Sequence, residues 1–170
     1  LKVPEFPAAM SLQALHFSKE FPGGMIVVGQ DGKRFCDEKY KTRHGKVPFN
    51  GSWRPMQVPC PMYMVFDQHM MSAAPLYKKE PNRGWTPIME RYDWSDDNSA
   101  EVGRGWIKRS ETIEALAATI GLNPEALAET VTRWNGMVDV DQDNDFGRQL
   151  MLNAFGNGPY YAVELSPSMI

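Results

Sequence analysis

The residues of this chain whose types and spacing could do chemistry fall into a few local groups. The densest is Asp139-Val140-Asp141-Gln142-Asp143-Asn144-Asp145, with the alternating carboxylates that a calcium loop uses. Counted from Asp139, the sixth position is Asn144 where the sharp turn needs Gly, and the twelfth is Leu150 where a bidentate Glu should close the shell. The run therefore predicts no calcium site. Gly103-Arg104-Gly105 and Gly156-Asn157-Gly158 each supply G-x-G, but both lack the third glycine and the strand-to-helix setting of a dinucleotide fingerprint. His16, His44 and His69 lie 25 residues or more apart, and Cys36 and Cys60 form no C-x-x-C pair, so no metal site is expected. Two ordinary thiols fit a reducing, cytoplasmic compartment.

Two further groups remain. In Thr42-Arg43-His44-Gly45-Lys46 the planar fork of Arg43 suits a carboxylate or carbonyl oxygen, with His44 beside it. In Tyr160-Tyr161 a phenol can hydrogen-bond a carbonyl oxygen and give or take a proton. On residue type alone, the first pair is also what a solvated loop carries and the second what an ordinary strand carries. Successive strand side chains alternate faces, so only one of the two tyrosines can reach a given site.

The elements that must position these groups belong to one domain, since 170 residues with 42% apolar composition fill one core rather than two. Met25-Ile26-Val27-Val28 is a short β-rich run that Asp31-Gly32 turns back into a returning strand, Lys33 to Glu38. Within that polar hairpin Phe35 is expected in the core, and Arg34 and Glu38 are available to pair with each other or with neighbouring loops. Met62 to Phe66 is a second buried-strand candidate, ending at Asp67, and Ala9 to Phe17 could make two helical turns. From about Ser72 to Arg104 the chain is rich in Pro, Gly, Trp and charge and reads as a long irregular excursion.

A helical pair follows. Ile113, Leu116, Ala117 and Ile120 share one face, with Ser110 or Thr112 to cap the start and Gly121 to stop it. Asn123-Pro124-Glu125 then supplies a cap, a first-turn proline and an early acid, and Leu127, Val131, Trp134 and Val138 continue an apolar stripe. Eleven methionines and five tryptophans suit either an adaptable apolar surface or a core. The net charge of −3 comes from scattered charges with no basic stripe for a phosphate backbone, so no nucleic-acid partner is expected. No apolar run is long enough to span a bilayer.

Taken in order, "DGKRFCDE", "ETIEALAATIGLNPEALAETVTRWNGMVDVDQDNDFGR" and "PYYAVELSP" resemble the FAD-dependent oxidoreductases that include fumarate reductase flavoproteins and 3-ketosteroid dehydrogenases. The matching residues are Gly32 to Phe35 with Glu38, Thr112 to Ala117, Arg133 to Asn135, Asp145 to Arg148, and Pro159 to Ala162, spread over roughly Gly24 to Pro167. In that family a capping domain is inserted into the FAD-binding domain. The resemblance implies that residues 1–170 are a single α+β capping domain, a small sheet with a hairpin packed against the helical pair. The family's FAD segments would then lie upstream and downstream, which accords with a first residue, Leu1, that is not Met. The implied partners are the FAD-binding domain of the same parent chain and a small-molecule substrate, with FAD bound by the parent and none by this segment alone.

The implied activity is hydride transfer between the flavin and a C–C or C=C bond beside a carbonyl. In the fumarate branch an arginine a few residues after the hairpin acid donates the proton, and Arg43 follows Glu38 at that place, with His44 next to it. That branch also carries an acid and an arginine just before the hairpin. Here Glu20 is present but no arginine precedes Arg34, and "RHGKVPFNGSWRP" is an extended loop in place of a short helical continuation. In the ketosteroid branch tyrosines at the junction of cap and FAD domain act on the substrate ketone, and Tyr160 and Tyr161 stand in the matching segment. The expectation is therefore a ketosteroid-like substrate rather than fumarate, and the alternative is a non-catalytic binding module with the same fold.

Overall fold

The computed structural model describes residues 21–39, 46–77 and 92–166. Strands β1 (Met25–Val28), β2 (Lys46–Phe49), β3 (Ser52–Pro55) and β4 (Met62–Asp67) precede helices α1 (Gln68–Ala73) and α2 (Ser99–Gly103). Strand β5 (Ile107–Ser110), helices α3 (Ile113–Thr119) and α4 (Pro124–Asp139) and strand β6 (Tyr160–Leu165) follow. Four strands form one antiparallel sheet in the order β1-β4-β6-β5. The α+β expectation holds.

Alternation along the strands divides the core in two. Met25, Val27, Met64, Phe66, Tyr161, Val163 and Ile107 point to one face, where Met70, Met71, Leu76, Tyr77, Trp106 and Met151 cover them. Ile26, Val28, Val65 and Ala162 point to the other, against Leu116, Leu127, Val131 and Trp134 of the helical pair. Both faces are covered, which is why β1 reads as a continuous apolar run with every residue buried. Seven of the eight described methionines are core: Met25, Met62, Met64, Met70, Met71, Met137 and Met151 are buried, and Met56 is half-buried.

The helical pair forms as its caps direct. Thr112 Oγ1 accepts from the Ala115 N–H at 3.1 Å, so Thr112 is the cap and Ser110 ends β5. Gly121, at φ 75°, turns the chain out of α3 while the Leu122 N–H bonds back to the Ala117 carbonyl at 2.9 Å. Asn123 Oδ1 accepts from the Ala126 N–H at 2.9 Å, and Pro124 opens α4.

Two expectations need correction. The arm after Asp31-Gly32 is not a strand: it touches β1 through one bridge, Val28 with Arg34, because side chains instead of backbone satisfy the outer edge of β1. And "KVPFNGSWRP" is not an extended loop. Lys46–Phe49 and Ser52–Pro55 pair around Asn50 and Gly51, whose positive φ values of 45° and 76° are those of a tight hairpin turn. Of the irregular excursion, the described parts hold the end of α1 and all of α2; Ala9 to Phe17 lies outside the described residues.

Asp67 joins three segments of this fold. Wholly buried, its Oδ1 accepts from the Met70 N–H and caps α1, while its Oδ2 accepts from the N–H groups of Gly24 and Gly156, each at 3.0 Å. Asp67→Ala should lower the unfolding free energy by about 3 kcal/mol, since it leaves buried donors unpaired. Urea unfolding followed by circular dichroism measures this; a loss under about 1 kcal/mol would show that the three segments hold without the carboxylate.

Candidate functional site

The polar hairpin delivers its charges inward. Arg34 donates from Nε to Glu38 Oε1 at 2.7 Å and from Nη2 to Glu38 Oε2 at 2.9 Å. It reaches across the molecule to Asp143, Nη1 to Oδ1 at 3.0 Å and Nη2 to Oδ2 at 2.9 Å. Arg148 Nη1 donates to Glu38 Oε2 at 3.2 Å. The two guanidiniums lie over the ring of Trp134, 4.5 and 4.8 Å from its centroid, so the indole takes a cation on each contact. All four charged side chains are buried.

The same groups complete the edge of the sheet. Glu38 Oε1 accepts from the Val27 N–H at 3.1 Å, and Arg148 Nη1 donates to the Met25 carbonyl at 2.7 Å. Arg148 also holds the carbonyls of Leu150 and Met151, at 2.8 and 2.6 Å. Asp143 accepts from the N–H groups of Asp145, Phe146 and Arg148. Two of the four aspartates of the acid run are thus engaged: Asp143 braces Arg34, and Asp145 pairs with Arg133. Burial alone would raise the Asp143 carboxyl, but hydrogen bonds from Arg34 and from the Arg148 N–H, with the Arg34 charge, hold it well below the usual carboxylate range. Burial, helped by the Glu38 charge, pushes the Cys36 thiol up to about 12, which keeps it protonated and inert.

Of the residues singled out from sequence, Tyr160 and Tyr161 are described and Arg43 and His44 lie outside the described residues. The tyrosines are placed on opposite faces of β6 and do not meet. Tyr161 is buried, stacks on Phe66 with centroids 5.6 Å apart, and donates from its hydroxyl to Gln68 Oε1 at 2.5 Å. Tyr160 turns to the helical-pair side and donates to the Gly156 carbonyl at 3.0 Å. Burial first, and then the Asp67 charge, push its phenol up, so it gives its proton less readily.

Sequence reasoning did not find two polar nodes on the opposite face. Asn98, in the left-handed region at φ 62°, accepts on Oδ1 from the Leu76 N–H and Trp94 Nε1, and donates from Nδ2 to the Met71 and Ala74 carbonyls. Glu101, wholly buried, accepts from the Tyr92 hydroxyl and from Ser95. The available signal was Asn98 ahead of Ser-Ala-Glu, a helix start inside a segment read as irregular.

No protein-family model matches the chain. Over 146 residues, 86% of its length, it is 25% identical to the fumarate reductase (cytochrome) of Shewanella frigidimarina. Over 85 residues, 48% of its length, it is 33% identical to urocanate reductase of Eggerthella lenta. The chain is a homologue of these reductases. Among solved structures, the open conformation of a flavocytochrome c3 fumarate reductase matches with a TM-score of 0.51 at 24% identity, over 86% of this chain and 21% of that one. The 3-ketosteroid delta1-dehydrogenase of Sterolibacterium denitrificans, solved with 1,4-androstadiene-3,17-dione, matches with a TM-score of 0.62 at 22% identity, over 96% of this chain and 29% of that one. At those identities the two structures establish the fold this reductase homologue shares with them. The aligned stretches span 21% and 14% of the two curated reductases.

Among the described residues, no strand, glycine turn and open helix start combine into a dinucleotide cradle. A dinucleotide needs a strand, a glycine turn and a helix with open N–H groups. Here the four-stranded sheet is antiparallel throughout, the Gly29–Gly32 turn leads to a single bridge, and the first turns of α3 and α4 are capped by Thr112 and Asn123. No described helix is long and apolar enough to cross a membrane.

The buried ions make stability depend on acid. Because the Asp143 carboxyl titrates lower folded than unfolded, its contribution is complete above the ordinary carboxylate range, near about 4, and is lost as pH falls below it. Urea midpoints measured from pH 6 down to pH 2 should fall for the parent and fall less steeply for Asp143→Asn, which starts lower; equal slopes would remove Asp143 from the acid response. At pH 7, Glu38→Ala should cost about 3–5 kcal/mol, because it leaves two buried guanidiniums without their shared carboxylate.

Proposed function

We propose that residues 1–170 are the substrate-capping domain of an FAD-dependent oxidoreductase acting on a C–C or C=C bond beside a carbonyl. The observation that carries this reading is the extent of the homology: 86% of this chain aligns with only 21% of a fumarate reductase. The segment has the size of one piece of such an enzyme, and its described residues offer no cradle for the dinucleotide. Its partner is then the FAD-binding domain of the same parent chain, which would hold FAD, and the site would form where the two meet. Cytoplasmic residence accords with Cys36 and Cys60 both standing as free thiols.

We assign the substrate class as ketosteroid-like rather than fumarate. The fumarate version needs an arginine ahead of the hairpin; the first arginine of the chain is Arg34, and it is held inside by Glu38 and Asp143. Arg43 is the residue proposed to hold the substrate oxygen, with His44 beside it. Tyr160 and Tyr161 both stand as candidates for the substrate ketone, and either would have to exchange its present acceptor, the Gly156 carbonyl for Tyr160 and Gln68 for Tyr161, for the substrate oxygen.

The test is steady-state kinetics on the full-length parent. Arg43→Ala should lower turnover by roughly a hundredfold or more, about 3 kcal/mol of lost transition-state stabilisation, with normal FAD content. Arg43→Lys keeps the charge without the planar fork and should recover little. Rates within about twofold of the parent in both variants would mark Arg43 as a solvated loop residue.

A further inference from the structure

Four bonds in the sequence join an aspartyl or asparaginyl residue to glycine: Asp31-Gly32, Asn50-Gly51, Asn135-Gly136 and Asn157-Gly158. At each, the side-chain carbonyl carbon stands one ring closure from the next backbone nitrogen, and glycine, with no Cβ, leaves that nitrogen least hindered. The fold treats the four differently.

Three of them are held. The Gly32 N–H donates to the Gly29 carbonyl at 3.0 Å and Asp31 Oδ1 accepts from the Lys33 N–H at 3.0 Å, so both reacting groups are engaged. Asn135 and Gly136 lie inside α4, and the Asn135 carboxamide is tied at both ends to Phe155: Nδ2 donates to its carbonyl at 3.2 Å and Oδ1 accepts from its N–H at 2.8 Å. Gly158 is walled in, since a Cβ there would run into the Glu111 carbonyl and stand 3.0 Å from the Tyr160 ring.

Asn50-Gly51 is the exception. Asn50 is exposed at φ 45°, and a Cβ added at Gly51, φ 76°, would meet nothing within 4 Å. The turn joins β2 and β3, which form a separate sheet of two four-residue strands with β3 exposed along its whole length. A ribbon of that size is marginally stable by itself, so its turn opens at low cost and lets the Asn50 backbone rotate until Cγ faces the Gly51 nitrogen.

We propose that Asn50-Gly51 is a site of self-modification, at which the folded protein converts the asparagine to aspartyl and isoaspartyl residues through a succinimide. The Gly51 nitrogen loses its proton to hydroxide and attacks Asn50 Cγ; the Cγ–Nδ2 bond breaks, and Nδ2 takes a proton from water and leaves as ammonia. Water then opens the ring at either carbonyl. Cleavage between the Gly51 nitrogen and Cγ gives the aspartyl product, and cleavage between that nitrogen and the backbone carbonyl carbon gives the isoaspartyl one. Either product adds one negative charge to the tip of the ribbon. The isoaspartyl linkage also inserts a methylene into a turn that must bring Phe49 opposite Ser52, and that pairing is lost. The inference stands apart from the proposed function and does not need the flavin.

Peptide mapping by mass spectrometry of the full-length protein, aged at pH 7 and at pH 9, tests it. In the folded protein the Asn50 peptide should convert about tenfold or more faster than those holding Asn135 and Asn157, which react only through costlier opening. The rate should rise with pH, because the nitrogen must be deprotonated. In concentrated urea the three asparagines should convert at rates within about threefold of one another, since each is followed by glycine and none is held. Gly51→Ala should slow conversion about tenfold in the folded protein even though it strains the turn, because the added methyl hinders the nitrogen. An Asn50 peptide that stays unconverted, or converts no faster than the other two, would overturn the proposal. So would an equal lead for Asn50 in urea, or a Gly51→Ala variant that converts at the parent rate.

Discussion

The structure depends on keeping two arginines charged inside a small domain. Arg34 and Arg148 are buried with Glu38 and Asp143, and Trp134 lies against both guanidiniums. Removing such ions from water costs several kcal/mol each, and only a complete set of partners offsets it. Completeness is what is found: every buried side-chain nitrogen and oxygen among the described residues has a hydrogen-bond partner. Through these four side chains the hairpin arm, the edge of β1, the middle of α4 and the 143–151 loop become one unit. The charges do not add a large margin of stability over an apolar core; they admit one arrangement of those segments.

The same device recurs at smaller scale. Asp67, Asn98 and Glu101 are buried polar side chains that take up backbone groups where strands and helices end. The four-stranded sheet, with both faces covered, needs such joints because its connections are long and irregular. Irregular loops held by buried side chains can present a fixed surface without regular structure.

Much of this fold was legible in the sequence. Strands β1, β4 and β6 are apolar runs, and the helical pair announces itself through Thr112, Gly121 and Asn123-Pro124. Strand β5 was not legible, because in Ile107-Lys108-Arg109-Ser110 only Ile107 is buried and the pattern is that of a covered edge. The Asn50-Gly51 turn carried a strong hairpin signal, but Pro48 and Pro55 around it read as loop. The ion network was half legible: Arg34 and Glu38 are a local pair, whereas Asp143 lies 109 residues from Arg34 and sits in an acid run that resembles a cation loop. At the candidate site, strand alternation correctly separated Tyr160 from Tyr161. Nothing in the local sequence could show that both phenols donate to groups of this same chain.

The claim that this segment caps a flavoenzyme acting beside a carbonyl is tested most directly by the flavin of the full-length protein. Purified protein, reduced anaerobically and mixed in a stopped-flow instrument with an unsaturated cyclic ketone or with fumarate, reports flavin reoxidation through its visible absorbance. The account predicts a yellow protein whose reduced flavin is reoxidised by the ketone faster than by fumarate. A colourless protein would contradict it, as would a flavin that neither acceptor reoxidises.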